Sequence, residues 1–305
     1  MVGTALRKLL SPRQKSHLHF WKYQLKNWSI DRCNLMLGIK YLDIGSGQNM
    51  EELGWYASDR QNDDSVIDEN YRFDLIDGSL EFIYSSHFFE HIDDETAANL
   101  LREARRLLKP GAIFRIVVPN QAWFIEKYFQ KDLEYLKNKI GSFNLSTWSR
   151  YQVDINLEQC LVANICAIDN QNLKLTPFAH MEDLSGTVPV VTYPHHDKLE
   201  GYYCGPPPEI STEEIKERVR SSDPKEFVDW VFKRSKESKI TKGVFPSWHK
   251  NDWDQVKLEF FATAAGFKSV EPSSHAQTRY DILKIKNREC ISKKEFSFYF
   301  DLRAP

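Results

Sequence analysis

The sequence lacks the cysteine patterns that hold structural zinc or build a disulfide framework. Its five cysteines, at positions 33, 160, 166, 204 and 290, are odd in number and scattered, and no two form a C-x-x-C pair. This pattern indicates reduced thiols in an intracellular protein. The chain also has no run approaching about eighteen apolar residues and no apolar signal-type stretch near its start. We therefore expect a cytoplasmic protein without a membrane span.

A strong excess of charge of one sign is missing as well. The 41 lysines and arginines nearly balance the 43 aspartates and glutamates, which leaves a formal net charge of −2. Proteins that bind nucleic acids through the phosphate groups usually carry a marked excess of positive charge. The overall charge therefore gives no reason to expect DNA as a partner.

What the chain does contain is an apolar strand that runs into an acid and a Gly-x-Gly turn, Tyr41-Leu42-Asp43-Ile44-Gly45-Ser46-Gly47. Such glycines let the backbone approach a ligand where a side chain would collide. The dinucleotide fingerprint G-x-G-x-x-G is incomplete, because position 50 is Met. Gly54-Trp55 follows so soon that little room is left for a helix that would bind a pyrophosphate. Both observations argue against NAD and favour a ligand without phosphates.

Strand and helix patterns alternate after this turn. We expect strands near 40–44, 55–58, 65–67, 81–85 and 113–118. The clearest helix runs from about Glu95 to Leu108, with Asp93 or Asp94 able to cap its start and Lys109-Pro110-Gly111 ending it. This alternation predicts an α/β fold with a doubly wound, mostly parallel sheet.

The second half of the chain predicts a helix- and loop-rich insertion and then a return to the sheet. We expect helices at 121–140, 154–168 and 211–237 around a loop-rich stretch from Thr176 to Glu209. A helix from Trp253 to Ala265 follows, and a strand that begins near Lys268 resumes at Tyr280–Ile285. The predicted division is a basic, aromatic helical segment (1–38), a cofactor-binding domain (39–125 and 250–290) and a substrate or lid region (126–249).

Several motifs in this order resemble those of a class I, Rossmann-like S-adenosylmethionine-dependent methyltransferase, in the broad methyltransferase-domain (type 11-like) group. The motifs are Leu42–Gly47, Gly54–Asp59, Asp77–Ile92, Leu107–Gly111 and Ala265-Gly266-Phe267. The resemblance covers about 40–120 well and 250–285 fairly, and it does not extend to the middle of the chain. It implies a seven-stranded sheet of the Rossmann-like type and S-adenosyl-L-methionine as the cofactor.

The resemblance also implies where the cofactor would bind. Gly45 and Gly47 would lie under its methionine part, and Asp43 would hold the loop or face the amino group. Asp59 would accept hydrogen bonds from the ribose hydroxyls. Asp68 would meet the adenine amino group, with Asp74 as the alternative. The full set of predicted cofactor-binding residues is Asp43, Gly45, Ser46, Gly47, Asp59, Asp68, Ser86 and His87.

The predicted catalytic residues are histidines. His87 and His91 flank Glu90 just after the fourth predicted strand, where the acceptor should sit, and His196 lies in the loop-rich insertion. His87, Glu90 and His91 are possible metal ligands within about one helical turn. A Glu-His pair is nevertheless common at this point in methyltransferases without a metal, where it packs the helix entry. We therefore predict no metal.

The function expected from this resemblance is transfer of a methyl group to a small molecule or a glycan, at oxygen. The Asn/Asp-Pro-Pro-Tyr motif of DNA amino-methyltransferases is absent, because the chain reads Ser85-Ser86-His87-Phe88 at that point. Another enzyme class on the same sheet, such as an aminopropyl transferase or a nucleotide-dependent oxidoreductase, is an alternative. A further alternative is a non-catalytic methyltransferase-like protein that serves as a binding or interaction module.

Overall fold

The computed structural model describes residues 38–46, 52–58, 67, 69–139, 156–166, 190–191, 202–203, 212–237, 249–275, 277 and 291–305. Its centre is a six-stranded sheet with the strand order β2-β1-β3-β4-β8-β7. The strands are β1 (Tyr41–Ile44), β2 (Trp55–Ser58), β3 (Leu80–Ser86), β4 (Leu108–Pro119), β7 (Ser269–Ser273) and β8 (Ser297–Arg303). The first four strands are parallel, and β8 is antiparallel to both β4 and β7.

This sheet confirms the expected α/β fold of Rossmann-like type, with one strand fewer than the predicted seven among the residues that the structure describes. Four predicted strands lie where the sequence placed them, at β1 to β4, and the one predicted from Lys268 is β7. The predicted strand at 280–285 and most of that at 65–67 lie outside the described residues. The strand β8 was not predicted, although it occupies an interior position in the sheet.

The helix α1 (Asp94–Leu107) confirms the clearest helix prediction to within one residue at each end. Asp93 is its N-cap, and its Oδ1 accepts a hydrogen bond of 2.8 Å from the backbone N–H of Thr96. The apolar stripe of α1 is buried against the sheet, as the 3.6-residue period requires. The buried residues include Ala97, Leu100, Leu101, Ala104 and Leu107. Helix α7 (Gln255–Ala264) joins the same core through Leu258 and Ala262.

A second core is built from helices that follow β4. These are α2 (Gln121–Phe129), α3 (Leu133–Lys139), α4 (Leu157–Cys166), α5 (Thr212–Ser221) and α6 (Pro224–Glu237). Their buried side chains include Phe124, Leu136, Leu161, Ile215, Phe227 and Val231. A two-stranded antiparallel pair, β5 (Val190–Val191) and β6 (Tyr202–Tyr203), lies in the same part of the chain. No helix among the described residues is long and apolar enough to cross a membrane.

Two helices predicted as single elements are each divided in two. The predicted helix at 121–140 is wrong at Lys131, whose φ of +58° is incompatible with a right-handed helix and separates α2 from α3. The predicted helix at 211–237 is wrong at 222–223, where Asp223 accepts a hydrogen bond of 3.0 Å from the N–H of Glu226. Pro224 then occupies the first position of α6. Proline is tolerated there because a backbone N–H at this position would have no hydrogen-bond acceptor within the helix.

A buried ion pair links three strands at one side of the sheet. Arg115 on β4 is fully buried, and its guanidinium donates a hydrogen bond of 2.8 Å to Asp301 Oδ1 on β8. The same group donates to Ser273 Oγ of β7 at 3.1 Å and to the carbonyl oxygen of Ser274 at 2.9 Å. A buried cation requires such partners, because its transfer out of water is otherwise very unfavourable.

Candidate active site

The carboxyl ends of β1, β2 and β3 lie side by side, and several predicted cofactor-binding residues follow them. The strand register pairs Ile44 with both Ser58 and Ser85, and Ser86 with Val117 of β4. The Gly45 turn and the segment that begins at Ser86 therefore start at the same edge of the sheet. In open α/β sheets, ligands bind in the crevice at this edge.

The Gly45 turn is fixed by the backbone of the neighbouring strand. The N–H groups of Gly45 and Ser46 donate to the carbonyl oxygen of Ser58, at 2.8 Å and 3.3 Å. Gly45 has a φ of +73°, and a Cβ atom added to it would lie 2.6 Å from Cδ2 of Phe88. Both the conformation and the close approach of Phe88 therefore require glycine at this position. Asp43, two residues earlier in β1, is buried.

Four of the predicted site residues lie outside the described part of the chain, namely Gly47, Asp59, Asp68 and His196. Their roles remain predictions from the sequence. Asp74, the alternative to Asp68, is exposed in the segment before β3. The described residues that the structure brings to the edge of the sheet are Asp43, Gly45, Ser46, Ser86 and His87.

His87 follows β3 directly and is held on three sides. Its φ of +53° is unusual for a residue other than glycine, and its N–H donates a hydrogen bond of 2.8 Å to Val117 O. Its Nε2 is 2.9 Å from Ser297 Oγ at the start of β8. Its Nδ1 is 3.2 Å from Glu90 Oε1. Strained backbone held by such contacts is typical of functional sites.

Glu90 lies at the centre of the site and is almost fully buried, in the short 3₁₀ helix Phe89–His91. Its carbonyl oxygen accepts hydrogen bonds from the N–H groups of Lys250 and Asn251, at 2.6 Å and 3.2 Å. Its Oε1 is 3.2 Å from Nδ1 of His87, and its Oε2 has no hydrogen-bond partner among the described residues. Burial alone would raise the pKa of Glu90, but the neighbouring histidines outweigh it and lower the pKa to about 2. This direction of the pKa shift favours the carboxylate form of the side chain.

His249 approaches the same carboxylate from a distant part of the chain. Its Nε2 is 3.7 Å from Glu90 Oε1, and its Nδ1 is 2.9 Å from the carbonyl oxygen of Ile165. Because a carbonyl oxygen only accepts hydrogen bonds, Nδ1 carries the proton and Nε2 has a lone pair. Burial lowers the pKa of His249 to about 3, so the ring is neutral at physiological pH.

The side chain of Gln121 is consistent with this tautomer of His249. The Nε2 atom of Gln121 lies 3.4 Å from Nδ1 of His249, and the Oε1 atom of Gln121 has no partner among the described residues. Turning the amide over gives Oε1 a hydrogen bond from the Nδ1–H of His249. The Nδ1–H group of His249 then donates to both Ile165 O and Gln121 Oε1.

His91 completes a group that we call the His–Glu cluster, consisting of Glu90, His91 and His249. His91 Nε2 is 3.9 Å from Glu90 Oε1, and the rings of His91 and His249 are 5.0 Å apart between centroids. One ligand atom from each of the three residues lies within 4.8 Å of the other two. The sequence indicated Glu90 and His91 but not His249, because a single histidine far away in the chain carries no local signal.

The part of the chain that contains this edge of the sheet is similar in sequence to a known protein family. Residues 42–116 match the family described as a methyltransferase domain. No curated protein matches the chain by sequence.

Three solved structures illustrate what the whole chain is similar to. An S-adenosylmethionine-dependent methyltransferase from Archaeoglobus fulgidus is 13% identical, with a TM-score of 0.34, over 91% of this chain and 94% of that one. One from Mesorhizobium loti is 12% identical, with a TM-score of 0.33, over 87% and 91%. Phosphoethanolamine N-methyltransferase 2 from Haemonchus contortus, in complex with S-adenosyl-L-methionine, is 13% identical, with a TM-score of 0.32, over 88% and 49%.

Proposed function

Since residues 42–116 match a methyltransferase domain, we propose that the chain is a class I S-adenosylmethionine-dependent methyltransferase that methylates a hydroxyl group of a small molecule or glycan, with His87 as the general base. S-adenosyl-L-methionine is the cofactor, and when bound it supplies a methyl group already activated by the sulfonium. The observation that carries the proposal is the position of His87 between the Glu90 carboxylate and a hydroxyl oxygen.

The residues at the edge of the sheet fit this cofactor. Asp43 is a buried carboxylate two residues before the Gly45 turn, and it would suit the cationic amino group of the cofactor's methionine part. We propose that Asp43, Gly45, Ser46, Ser86 and His87 line the cofactor site. Gly47, Asp59 and Asp68 complete it in the sequence-based prediction, with Asp59 placed directly after β2.

The proton chemistry follows from the surroundings of His87. A carboxylate 3.2 Å from Nδ1 favours a proton on that nitrogen and leaves Nε2 as the acceptor. The same negative charge stabilises the imidazolium that forms when Nε2 takes a proton. In the proposed reaction the carbon–sulfur bond breaks, a carbon–oxygen bond forms, and the proton of the acceptor hydroxyl moves to Nε2 once that hydroxyl has displaced Ser297 Oγ from this nitrogen.

The surroundings of His87 support an uncharged acceptor. Its ring contacts the ring of Phe296 at a centroid distance of 6.0 Å, and Phe296 packs on Phe124 of α2 at 5.7 Å. The helical core that contains Phe124 thus adjoins the edge of the sheet, where the sequence predicted an acceptor region. His196 remains the predicted acceptor contact in that region, and His91 belongs to the His–Glu cluster beside His87.

Two measurements, made one after the other, test this proposal. Calorimetric titration with S-adenosylmethionine and S-adenosylhomocysteine should give binding that is at least tenfold weaker in an Asp59→Ala variant. A panel of sugars and small alcohols should then be screened for a gain of one methyl group by mass spectrometry. A folded wild-type protein that binds neither ligand would contradict the proposal and favour a non-catalytic interaction module.

The base is tested with a His87→Gln variant on the acceptor found in the screen. We expect kcat to fall by roughly 10²–10⁴, because proton removal contributes about that much, while cofactor affinity changes far less. His275→Gln is a matched control, because His275 contacts Tyr299 rather than Glu90. Retention of methyl transfer within about threefold of the wild type would rule out His87 as the base.

A further inference from the structure

We propose that the His–Glu cluster of Glu90, His91 and His249 is a binding site for one divalent transition-metal ion, with Zn²⁺ as the metal that best fits the ligand set. This goes beyond methyl transfer, and it differs from our sequence-based expectation of no metal. The proposal rests on the arrangement of lone pairs around Glu90 and does not depend on the identity of the methyl acceptor.

The first observation is that two acceptors face each other across a short distance. The Nε2 lone pair of His249 lies 3.7 Å from a carboxylate oxygen of Glu90, and the proton of the ring is engaged at Nδ1 by Ile165 O. Two lone pairs that face each other in a buried site repel unless a cation lies between them. A metal ion is a cation that binds a neutral imidazole and a carboxylate together.

The second observation is the geometry of the set. The Oε1 atom of Glu90 lies 3.7 Å from His249 Nε2 and 3.9 Å from His91 Nε2. Ligand atoms around tetrahedral Zn²⁺, with bonds of about 2.1 Å, are about 3.4 Å apart. The two distances to Glu90 are close to this value, and because the three ligand atoms lie within 4.8 Å of one another, the two histidines need to move closer together to complete the site. Two imidazoles and one carboxylate are also a ligand set that zinc enzymes use, with a further position open for water or substrate.

The third observation concerns the residues around the ligands. A metal-binding histidine usually donates its other ring N–H to a carbonyl or carboxylate oxygen, which fixes the ring. His249 does so through Nδ1 and Ile165 O. The backbone of Glu90 is fixed by two N–H groups that donate to its carbonyl oxygen, and its side-chain Oε2 has no hydrogen-bond partner among the described residues. The His91 side chain is 20% exposed, which leaves a path for an ion from solvent.

The experiment is a titration of metal-stripped protein with Zn²⁺ by calorimetry, and with Co²⁺ by absorption spectroscopy, which reports the ligand type. We expect one ion per chain and visible Co²⁺ bands typical of nitrogen and oxygen ligands. His249→Gln and His91→Gln should each weaken Zn²⁺ binding at least tenfold. His275→Gln, the same substitution outside the cluster, should bind Zn²⁺ as the wild type does.

Each contrary result has a distinct meaning. No binding by the folded wild type would overturn the proposal and identify the cluster as a buried histidine–carboxylate network. Equal binding by wild type and both cluster variants would place the metal elsewhere. A sulfur-to-cobalt charge-transfer band would assign it to cysteines. Because His249 is buried, that variant could fail to fold, and the partly exposed His91 then carries the test alone.

The metal titration is independent of the proposed methyl transfer. It uses no S-adenosylmethionine and no acceptor, so a negative result in the metal titration and a negative result in the methyl-transfer assay can be told apart, although both proposals involve Glu90. Mg²⁺ is a useful reference, because it prefers oxygen ligands and should bind this set poorly. Binding of Mg²⁺ as tight as that of Zn²⁺ would contradict the assigned ligands.

Discussion

Replacement of Gly45 by alanine should lower the free energy of unfolding for two reasons, one conformational and one steric. The first is conformational, because Gly45 has a φ of +73°, where an L-residue costs about 1–2 kcal/mol. Part of this is offset, since alanine reduces the entropy of the unfolded chain by about 0.4–1 kcal/mol. The net conformational cost is therefore about 1 kcal/mol. The second cost is steric, and it arises from Phe88.

The matched control is Gly111→Ala. Gly111 has a φ of +76°, nearly that of Gly45, but an added Cβ would find no atom within 4 Å. At Gly45 the same Cβ would lie 2.6–2.8 Å from Cδ2, Cβ and Cγ of Phe88. Because the Cβ of Phe88 is fixed to the backbone, a rotation of the ring cannot remove the overlap. Overpacking of this kind usually costs about 1–3 kcal/mol.

We therefore expect Gly111→Ala to lower the free energy of unfolding by about 1 kcal/mol. Gly45→Ala should lower it by about 2–4 kcal/mol. The assay is urea denaturation of both variants, followed by two spectroscopic probes, with the midpoint and slope compared with those of the wild type. Equal losses within about 0.5 kcal/mol would refute the argument, because they would mean that the contact with Phe88 has no cost.

Three further predictions concern charged groups. Burial raises the pKa of Asp252 from its ordinary 3.8 to about 6, so the native state binds more protons between these values. The free energy of unfolding should therefore fall by on the order of 2 kcal/mol as pH rises from about 4 to about 6, and Asp252→Asn should remove this slope in a pH-dependent denaturation series. Asp93→Ala should cost about 1 kcal/mol by chemical denaturation, because Thr96 N–H loses its cap, and no loss would contradict the capping role. Asp301→Ala leaves the buried Arg115 without its carboxylate and should cost about 3–5 kcal/mol, whereas a loss below about 1 kcal/mol would show that the other partners suffice.

The strands and α1 could be predicted because their signals are local. An apolar run before Gly45 and a helical stripe capped at Asp93 each specify an element within about fifteen residues, and the elements lie where expected. The divided helices show the limit of this reasoning. The Pro224 signal was available in the sequence and indicated a new helix start. The positive φ of Lys131 had no such signal, because lysine seldom adopts that conformation.

The site was predictable only where its residues follow strands. Gly45 and His87 were found because the carboxyl ends of parallel strands meet at one edge. His249 and Ser297 were not found, because they reach His87 and Glu90 from other parts of the chain through tertiary contacts alone. The role of Gly45 is also more specific than predicted, since its missing side chain makes room for Phe88.

The interior position of β8 has a consequence for the order in which the molecule is assembled. β8 pairs with β4 on one side and β7 on the other, so among the described strands β7 gains its partner only when residues 297–303 have been synthesised. The contact between His87 and Ser297 spans 210 residues and closes equally late. Contacts of such sequence separation slow folding, because a large loop must close before they form. On the ribosome, the first strands would thus be translated long before the candidate base acquires its hydroxyl neighbour, and the site would mature only after Ser297 has been added.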